Sequence, residues 1–276
     1  MHSVDELIKL ALKEDIGSGD ITTDAIVSPD LEGIGDVIAK DDFIVAGLDV
    51  ARNVFDHLDP QVFFSSTFKD GDRVKNGRIV FSVRGKLASI LKAERTALNF
   101  IQRLSGIATL TRTYVDRLKG SNVRIVDTRK TTPGWRGIEK YAVKIGGGHN
   151  HRMGLYDGVL IKDNHIAACG GVRIAVNTAR KQIHHLVKIE VEVTDMVELA
   201  EALSAGADVI MLDNMTPDQI RQAVKKINST ALVEISGGVN LDNLHRLAET
   251  GVDFISVGAL THSAKSVDMS MKIQNH

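Results

Sequence analysis

Residues 187–213 read "VKIEVEVTDMVELAEALSAGADVIMLD", and this stretch decides the fold. "VKIEVEV" (187–193) is short and rich in β-branched residues, the composition of a strand. Met196, Leu199, Ala200 and Leu203 then recur at the spacing of one helix face. "DVIMLD" (208–213) is a second strand. Strand, helix and strand in immediate succession signal a parallel α/β arrangement.

The same unit repeats on both sides. Further strands are read at "VRIVD" (123–127), "GVLIK" (158–162), "ALVEIS" (231–236) and "VDFISVG" (252–258). Between them, Ile220, Ala223, Val224 and Ile227 form a helix face started by Thr216-Pro217-Asp218-Gln219, with Pro at the first helical position. Leu241, Leu244, Leu247 and Ala248 form another, with Asn240 as its expected cap. Nearly continuous apolar strands argue that both sheet faces are buried. A barrel and an open doubly wound sheet both satisfy this pattern. No G-x-G-x-x-G opens the first unit, which counts against the dinucleotide-binding version.

Upstream the pattern changes. Short β-type runs ("DVIAK", "FIVAGL", "RIVFSV") between about 33 and 91 alternate with turns such as "KDGDRVKNGR". These describe a small β-rich domain with its own helices. Ser3-Val4-Asp5-Glu6 has the form of a capping box, and "EDIGSGDITTD" (14–24) reads as an exposed loop. From Lys92 a helix runs through "AERTALNFIQRLSG", with Ala97, Leu98, Ile101, Leu104 and Ala108 on one face and an interruption expected at Ser105-Gly106.

The chain has 276 residues, 43% hydrophobic and 25% charged, with a net charge of -1. That is long enough for a large core, and the balance offers no global field for nucleic acid or an anionic membrane. One cysteine, Cys169, precludes an intrachain disulfide and fits a reducing compartment. No signal peptide and no membrane-length apolar run is read, so a cytoplasmic protein is expected.

The C-terminal ends of the six strands carry Thr128-Arg129-Lys130, Lys162-Asp163-Asn164-His165, Glu192, Asp213-Asn214, Ser236-Gly237-Gly238 and Gly258-Ala259. In a parallel barrel these positions converge on one mouth, the face that does chemistry. Arg129, Lys130, Lys162 and Arg152 call for a strongly anionic ligand. Glu192 and Asp213 could hold a hard divalent cation such as magnesium through oxygen. The glycine turns of "SGGV" and "SVGA" suit backbone cradling of a phosphate. The competing reading makes Glu192 and Asp213 ion-pair partners of Lys130 and Lys162, and leaves the single cations as solvated surface. His149, His151 and His165 fit hydrogen bonding better than a zinc site. Trp135, Tyr141 and Tyr156 are read as packing, and so are Met211 and Met215.

In order along nearly the whole chain stand "EDIGSGDITTD", "ERTALNF", "DTRKTTPG", "GGGHNHRMGLYDGVLIKDNHI", "EVEV", "MLDN", "EISGG" and "SVGA". Together they closely resemble the quinolinate phosphoribosyltransferase family. The resemblance implies a type II phosphoribosyltransferase-like fold: an N-terminal α/β sandwich (1–105) followed by an incomplete parallel α/β barrel (106–276), whose last segment could pack back on the sandwich. It implies transfer of phosphoribosyl from phosphoribosyl pyrophosphate to quinolinate with loss of carbon dioxide, and magnesium as cofactor. Arg129, Arg152 and Lys162, with Lys130 and His151, would bind the two carboxylates of quinolinate, and Thr128 is a further substrate-binding residue. Arg95 would join them from the partner subunit of a homodimer, with higher assembly left open. Glu192 and Asp213 would handle ribose hydroxyls and magnesium, and Ser236, Gly237, Gly238, Val257, Gly258 and Ala259 the 5-phosphate. Lys130, Lys162, Glu192 and Asp213 are the expected catalytic set. Three rivals remain: a Schiff-base aldolase using Lys162, a paralogue with another acceptor, and a non-catalytic phosphoribosyl-ligand sensor.

Overall fold

A computed structural model describes residues 4–274 of the chain. The expected capping box at Ser3 lies outside the described residues. The chain divides into two compact units. One comprises residues 1–112, 131–147 and 260–276, and the other residues 113–130 and 148–259. The sequence-based boundary at 105/106 falls inside a single long helix.

The first unit opens with α1 (Val4–Ile16) and α2 (Ile21–Ile26). Residues 14–24 are therefore not one loop. The helix continues to Ile16, and Asp20 caps α2 by accepting from the backbone N–H groups of Thr22 and Thr23 at 3.1 and 3.0 Å. The acids in this stretch that looked like loop residues are partly helix-capping residues, placed where they satisfy free N–H groups. β1 (Glu32–Ala39), β2 (Phe43–Ile44), α3 (Leu48–Leu58), β3 (Phe63–Ser65), β4 (Arg73–Val74) and β5 (Ile79–Lys86) follow. β1 pairs antiparallel with β5, and β5 with β3, while β2 and β4 make a separate ribbon. Phe55, Phe64 and Phe81 meet in this core, Phe64 stacked on Phe81 at 4.6 Å.

α4 (Leu87–Arg117) runs unbroken past Ser105-Gly106. Ser105 is buried, and its hydroxyl accepts the Ala46 N–H at 3.1 Å. At Gly106 a Cβ would stand 2.0 Å from the Lys265 carbonyl oxygen. This glycine permits a close approach of backbone to helix, and does not end the helix.

The second unit holds β6 (Arg124–Val126). The chain then passes through α5 (Arg136–Ile145), which belongs to the first unit, and returns. β7 (Val159–Ile161), α6 (Asp163–Cys169), α7 (Val172–Gln182), β8 (Ile189–Val193), α8 (Met196–Ser204), β9 (Val209–Asp213), α9 (Pro217–Ile227), β10 (Leu232–Ser236), α10 (Leu244–Ala248) and β11 (Phe254–Ser256) complete it. All six strands read from the sequence are present and parallel, in the order β6-β11-β10-β9-β8-β7. A doubly wound sheet reverses its order at a switch point. Here β7 to β11 lie side by side in chain order, and β6 joins beyond the last. That is barrel winding, left incomplete because no ladder joins β6 to β7 among the described residues. α9 starts with the expected capping box, Thr216 with Gln219. Asn240, expected to cap the next helix, makes a turn instead, accepting from Asp242 and Asn243, and α10 begins at Leu244.

Finally α11 (Ala259–His262) leads to β12 (Met269–Gln274), which pairs antiparallel with β1.

Candidate active site

The pleat sorts the strand residues of the second unit onto two faces. Ile189, Val191, Val193, Ile210, Leu212, Val233 and Ile235 share one, and all are buried. The other is largely buried too, as the sequence implied, but it is rich in polar side chains. It carries Glu190 and Glu192 of β8, Met211 and Asp213 of β9, Glu234 and Ser236 of β10 and Ser256 of β11, matched by the register Glu234↔Met211 and Ser236↔Asp213. The two sheet faces differ in chemistry because one packs on helices and the other lines the barrel interior.

At the C-terminal edge of this face the Lys162 ammonium, just past β7, forms an ion pair with Glu192 of the adjacent strand. The structure thus realises the ion-pair reading for Glu192. Asp213, beside Ser236, accepts from the Asn214 side-chain amide at 2.7 Å. Ser236-Gly237-Gly238 turns sharply there. Gly237 has φ +90°, and a Cβ on it would lie 2.1 Å from the Asn214 side-chain oxygen. Only glycine fits this close approach of two strand-end turns. Val257, next on β11's end, donates to the Val126 carbonyl and is followed by Gly258 and Ala259.

Between the open edges of the sheet, residues 149–151 lie along β6. His149 donates to Ile125 and accepts from Asp127. Asp127 is completely buried. Its two oxygens accept from the Asn150 amide at 2.6 Å and the His151 N–H at 2.9 Å. Thr128, Arg129 and Lys130 follow directly, with Arg129 and Lys130 exposed. Asp127 is therefore the clamp that sets two strand-end segments side by side, and the cations beyond it face solvent.

His151 turns inward. Its Nδ1 accepts the Arg152 N–H at 2.8 Å, so Nε2 carries the ring proton and donates to Glu190 at 2.9 Å. Glu234 lies 3.7 Å from the same nitrogen. Burial first, then the Glu190 charge, pushes Glu234 well above the usual carboxylate range. The Arg152 guanidinium donates to the Gly158 carbonyl at 3.0 Å, and Asp157 accepts from the Met153 and Gly154 N–H groups. Burial, then the neighbouring Arg129 charge, lowers the pKa of Arg152, while Glu190 and Asp157 oppose this. Two like charges held this close are primed for an anion.

The structure thus gathers Thr128, Arg129, Lys130, His151, Arg152, Lys162, Glu192, Asp213, Ser236, Gly237, Gly238, Val257, Gly258 and Ala259 within one unit, at or near the same strand ends. Arg95 belongs to the other unit, exposed on α4. The three histidines do not converge. His165 accepts the Lys162 N–H at the start of α6, and the metal-spaced group among the described residues is His151, Glu190 and Glu234. Met211 and Met215 are core residues, and Trp135 stacks on Phe100 at 4.6 Å. Tyr141 donates to Asp70 at 2.6 Å. Tyr156 is 78% exposed, against its expected packing role. Glu190, Glu234, Asn150 and the clamping role of Asp127 were missed in the sequence. Strict alternation in "IEVEV" and "LVEIS" would have placed Glu190 on the face of Glu192, and Glu234 on that of Ser236.

Residues 107–272 match the model of the quinolinate phosphoribosyl transferase C-terminal domain, and residues 20–105 that of its N-terminal domain. A probable carboxylating nicotinate-nucleotide pyrophosphorylase of Bacillus subtilis is 48% identical, over 94% of this chain and 90% of the relative. The solved structure of NadC from Streptococcus pyogenes is 44% identical and superposes with a TM-score of 0.95, covering 98% of this chain and 96% of that one. The nicotinate-nucleotide pyrophosphorylase of Francisella tularensis is 41% identical with a TM-score of 0.94, covering 98% and 96%.

Proposed function

The chain belongs to the quinolinate phosphoribosyltransferase family, and from that premise we propose how its own residues carry out the family's reaction. The activity is phosphoribosyl transfer from phosphoribosyl pyrophosphate to quinolinate with decarboxylation, giving nicotinate mononucleotide, pyrophosphate and carbon dioxide for NAD biosynthesis. The observation that carries the assignment of residues is the convergence of cations, carboxylates and glycine turns on the ends of one parallel sheet.

Arg152, Arg129 and Lys130, with Thr128, receive the two carboxylates of quinolinate. His151 serves them from below, through Arg152, since its ring nitrogens are taken by the Arg152 N–H and Glu190. Ser236, Gly237 and Gly238 with Val257, Gly258 and Ala259 hold the 5-phosphate through backbone N–H groups. As the C1–O bond to pyrophosphate breaks, positive charge develops on the sugar, which the Glu192 carboxylate beside the ribose favours. Lys162, its ion-pair partner, joins Arg129 and Arg152 at the quinolinate carboxylates. The pyridine nitrogen attacks C1, and the N-ribosylated ring accepts the electron pair left when the adjacent carboxylate departs as carbon dioxide. A proton then replaces it at that carbon. No covalent enzyme intermediate is needed, so positioning supplies most of the rate.

The oxygen donors of Asp213 fit magnesium, whereas Glu192 is already engaged by Lys162. Magnesium held at Asp213 with the substrate's own phosphates would neutralise the leaving group. The aldolase reading is disfavoured by the same ion pair, because a Schiff-base lysine attacks as a free amine.

The assignment is tested by incubating purified protein with quinolinate, phosphoribosyl pyrophosphate and magnesium. Nicotinate mononucleotide and pyrophosphate are expected, and trapping of a carbonyl substrate on Lys162 by borohydride would favour the aldolase instead. A cytoplasmic homodimer with Arg95 reaching the partner's site is part of the proposal. Arg95 stands exposed on α4, where its charge acts on the neighbouring Glu94. Arg95→Ala and Lys162→Ala homodimers should each be nearly inactive. Mixing them with subunit exchange forms about half mixed dimers, each with one intact site, and restores about a quarter of wild-type activity. No recovery after confirmed exchange would place Arg95 in its own chain's site.

A further inference from the structure

Behind the substrate-facing cations, against His151, lies a pair of buried acids whose protonation the mechanism leaves open. Glu190 and Glu234 are 8% and 4% exposed, on strands β8 and β10, with the ring of His151 against both. One ligand atom from each of the three lies within 4.8 Å of the others. One oxygen of each carboxylate, Oε1 in both, has no hydrogen-bond donor. Glu190 feels the Arg152 charge, whereas no Arg or Lys acts on Glu234, so the buried pair with its orphaned oxygens needs a further positive species at Glu234.

Three could supply it: an imidazolium, a metal ion or a proton. An imidazolium would carry hydrogen on Nδ1, which would then collide with the Arg152 N–H that now donates to it at 2.8 Å. A metal bound at Nε2 meets the same objection, because neutral imidazole ligating through Nε2 also carries its proton on Nδ1. A proton between the carboxylates disturbs nothing. It turns the side-chain contact between Glu234 and Glu190 into a hydrogen bond, one carboxyl as donor and the other as acceptor.

We propose that Glu234 carries this proton and donates it to Glu190, so that His151 and Arg152 face one buried negative charge and not two. Glu234 is then a positioning and specificity residue for the dicarboxylate acceptor. A second buried charge would be set against both carboxylates of the substrate and would compete for Arg152. The groups facing Glu234 are consistent with this. Glu190 approaches from β8, His151 from the 149–151 segment, the Ser256 hydroxyl from β11, and Met211 stands opposite on β9. None of them is a permanent cation. Burial and the Glu190 charge favour the neutral acid and outweigh the opposing effects of His151 and the Ser256 hydroxyl.

The inference about affinity rests on quinolinate as acceptor, whereas the proton itself does not, and two measurements separate them. Difference infrared spectroscopy of the protein alone should show a protonated carboxyl band at neutral pH that is absent from Glu234→Gln. Without that band in the wild type, the proposal fails whatever the activity. In turnover, the quinolinate KM of the wild type should rise about fivefold as the pH is raised through the ionisation of Glu234. The KM for phosphoribosyl pyrophosphate and kcat should move far less. Glu234→Gln, which keeps a neutral donor, should flatten that rise, while Glu234→Asp, a shorter acid, should shift it. A stoichiometric metal in the purified protein, lost in Glu234→Gln, would overturn the proton in favour of a cation. A protonated pair in a protein that does not turn over quinolinate would leave the pair standing and refute the function.

Discussion

Glu190 and Glu192 stand two residues apart on one strand and one face, about 7 Å from each other along the chain, and meet opposite fates. Glu192, at the strand end, pairs with the half-exposed ammonium of Lys162. Glu190, one layer deeper, meets an imidazole and a second buried carboxylate. At the rim a long cationic side chain can reach a carboxylate while its head stays hydrated. Deeper in, a cation would have to be desolvated, and neutralisation by a proton costs less. Depth along a barrel strand therefore decides whether an acid is met by a hydrated ammonium or shares a proton with a second acid.

The largest effects expected are those that break the rim pair. Glu192→Gln keeps the size of the side chain and removes the charge that favours the cationic sugar, so kcat should fall about 10²–10³-fold with the quinolinate Kd little changed. Glu190→Gln, the same change one layer down, should leave kcat within about tenfold and act mainly on KM. If both substitutions lowered kcat equally, the division by depth would be lost. Stopped-flow single turnovers of the two variants make the comparison.

Next in size is Arg152→Ala, which removes a partly buried partner of a substrate carboxylate. Calorimetry should show quinolinate binding weakened by about 2–5 kcal/mol, with phosphoribosyl pyrophosphate binding nearly unchanged. Unchanged quinolinate binding would move the acceptor site away from Arg152.

Asp127 offers a third comparison, since at its strand end it is as buried as Glu190 yet has both oxygens satisfied by N–H donors. Asp127→Asn turns one acceptor into a donor facing a donor, Asn150 or the His151 N–H. A loss of about 1–3 kcal/mol of stability is expected in urea unfolding, with a raised quinolinate KM as residues 150–152 loosen. An acid whose charge is used by hydrogen bonds should tolerate neutralisation worse than Glu234, whose partner is another acid.

These contrasts also mark what could be read in the sequence. The strands were legible because β-branched runs punctuated by turns are local signals, and every polar strand end announced itself where apolar character stopped. The choice between barrel and open sheet was not legible, because strand order is fixed by contacts far apart in the chain. Gly106 misled because its small size serves the approach of Lys265, a neighbour that local pattern does not name. "EDIGSGDITTD" misled because polar residues mark both loops and helix caps. Glu190 and Glu234 were hidden by apolar neighbours. A single acid within a buried strand reads as noise until its opposite number on another strand is known.

The last effect expected, read across pH and not at a single pH, is a pH dependence of stability at Glu234. Burial and the Glu190 charge push its pKa up to about 8 in the folded protein, above the usual unfolded value of about 4.3. Below the unfolded value both states hold the proton, and the stabilisation is fully present. Between the two values the folded state holds one proton more than the unfolded state, so raising the pH favours unfolding, by at most about 1.4 kcal/mol per pH unit. Above the folded value both states are ionised and the loss is complete. Glu234→Gln cannot titrate, so the stability of the wild type relative to this variant should decline between about pH 5 and pH 8 and level off beyond it. Urea midpoints of the two proteins, measured across that range in one buffer system, give the difference directly. A constant difference would mean that Glu234 ionises in the fold as it does in the unfolded chain. Buried Glu190 and Glu234 would then both be charged, and the contrast between rim and interior would have to rest on a bound cation.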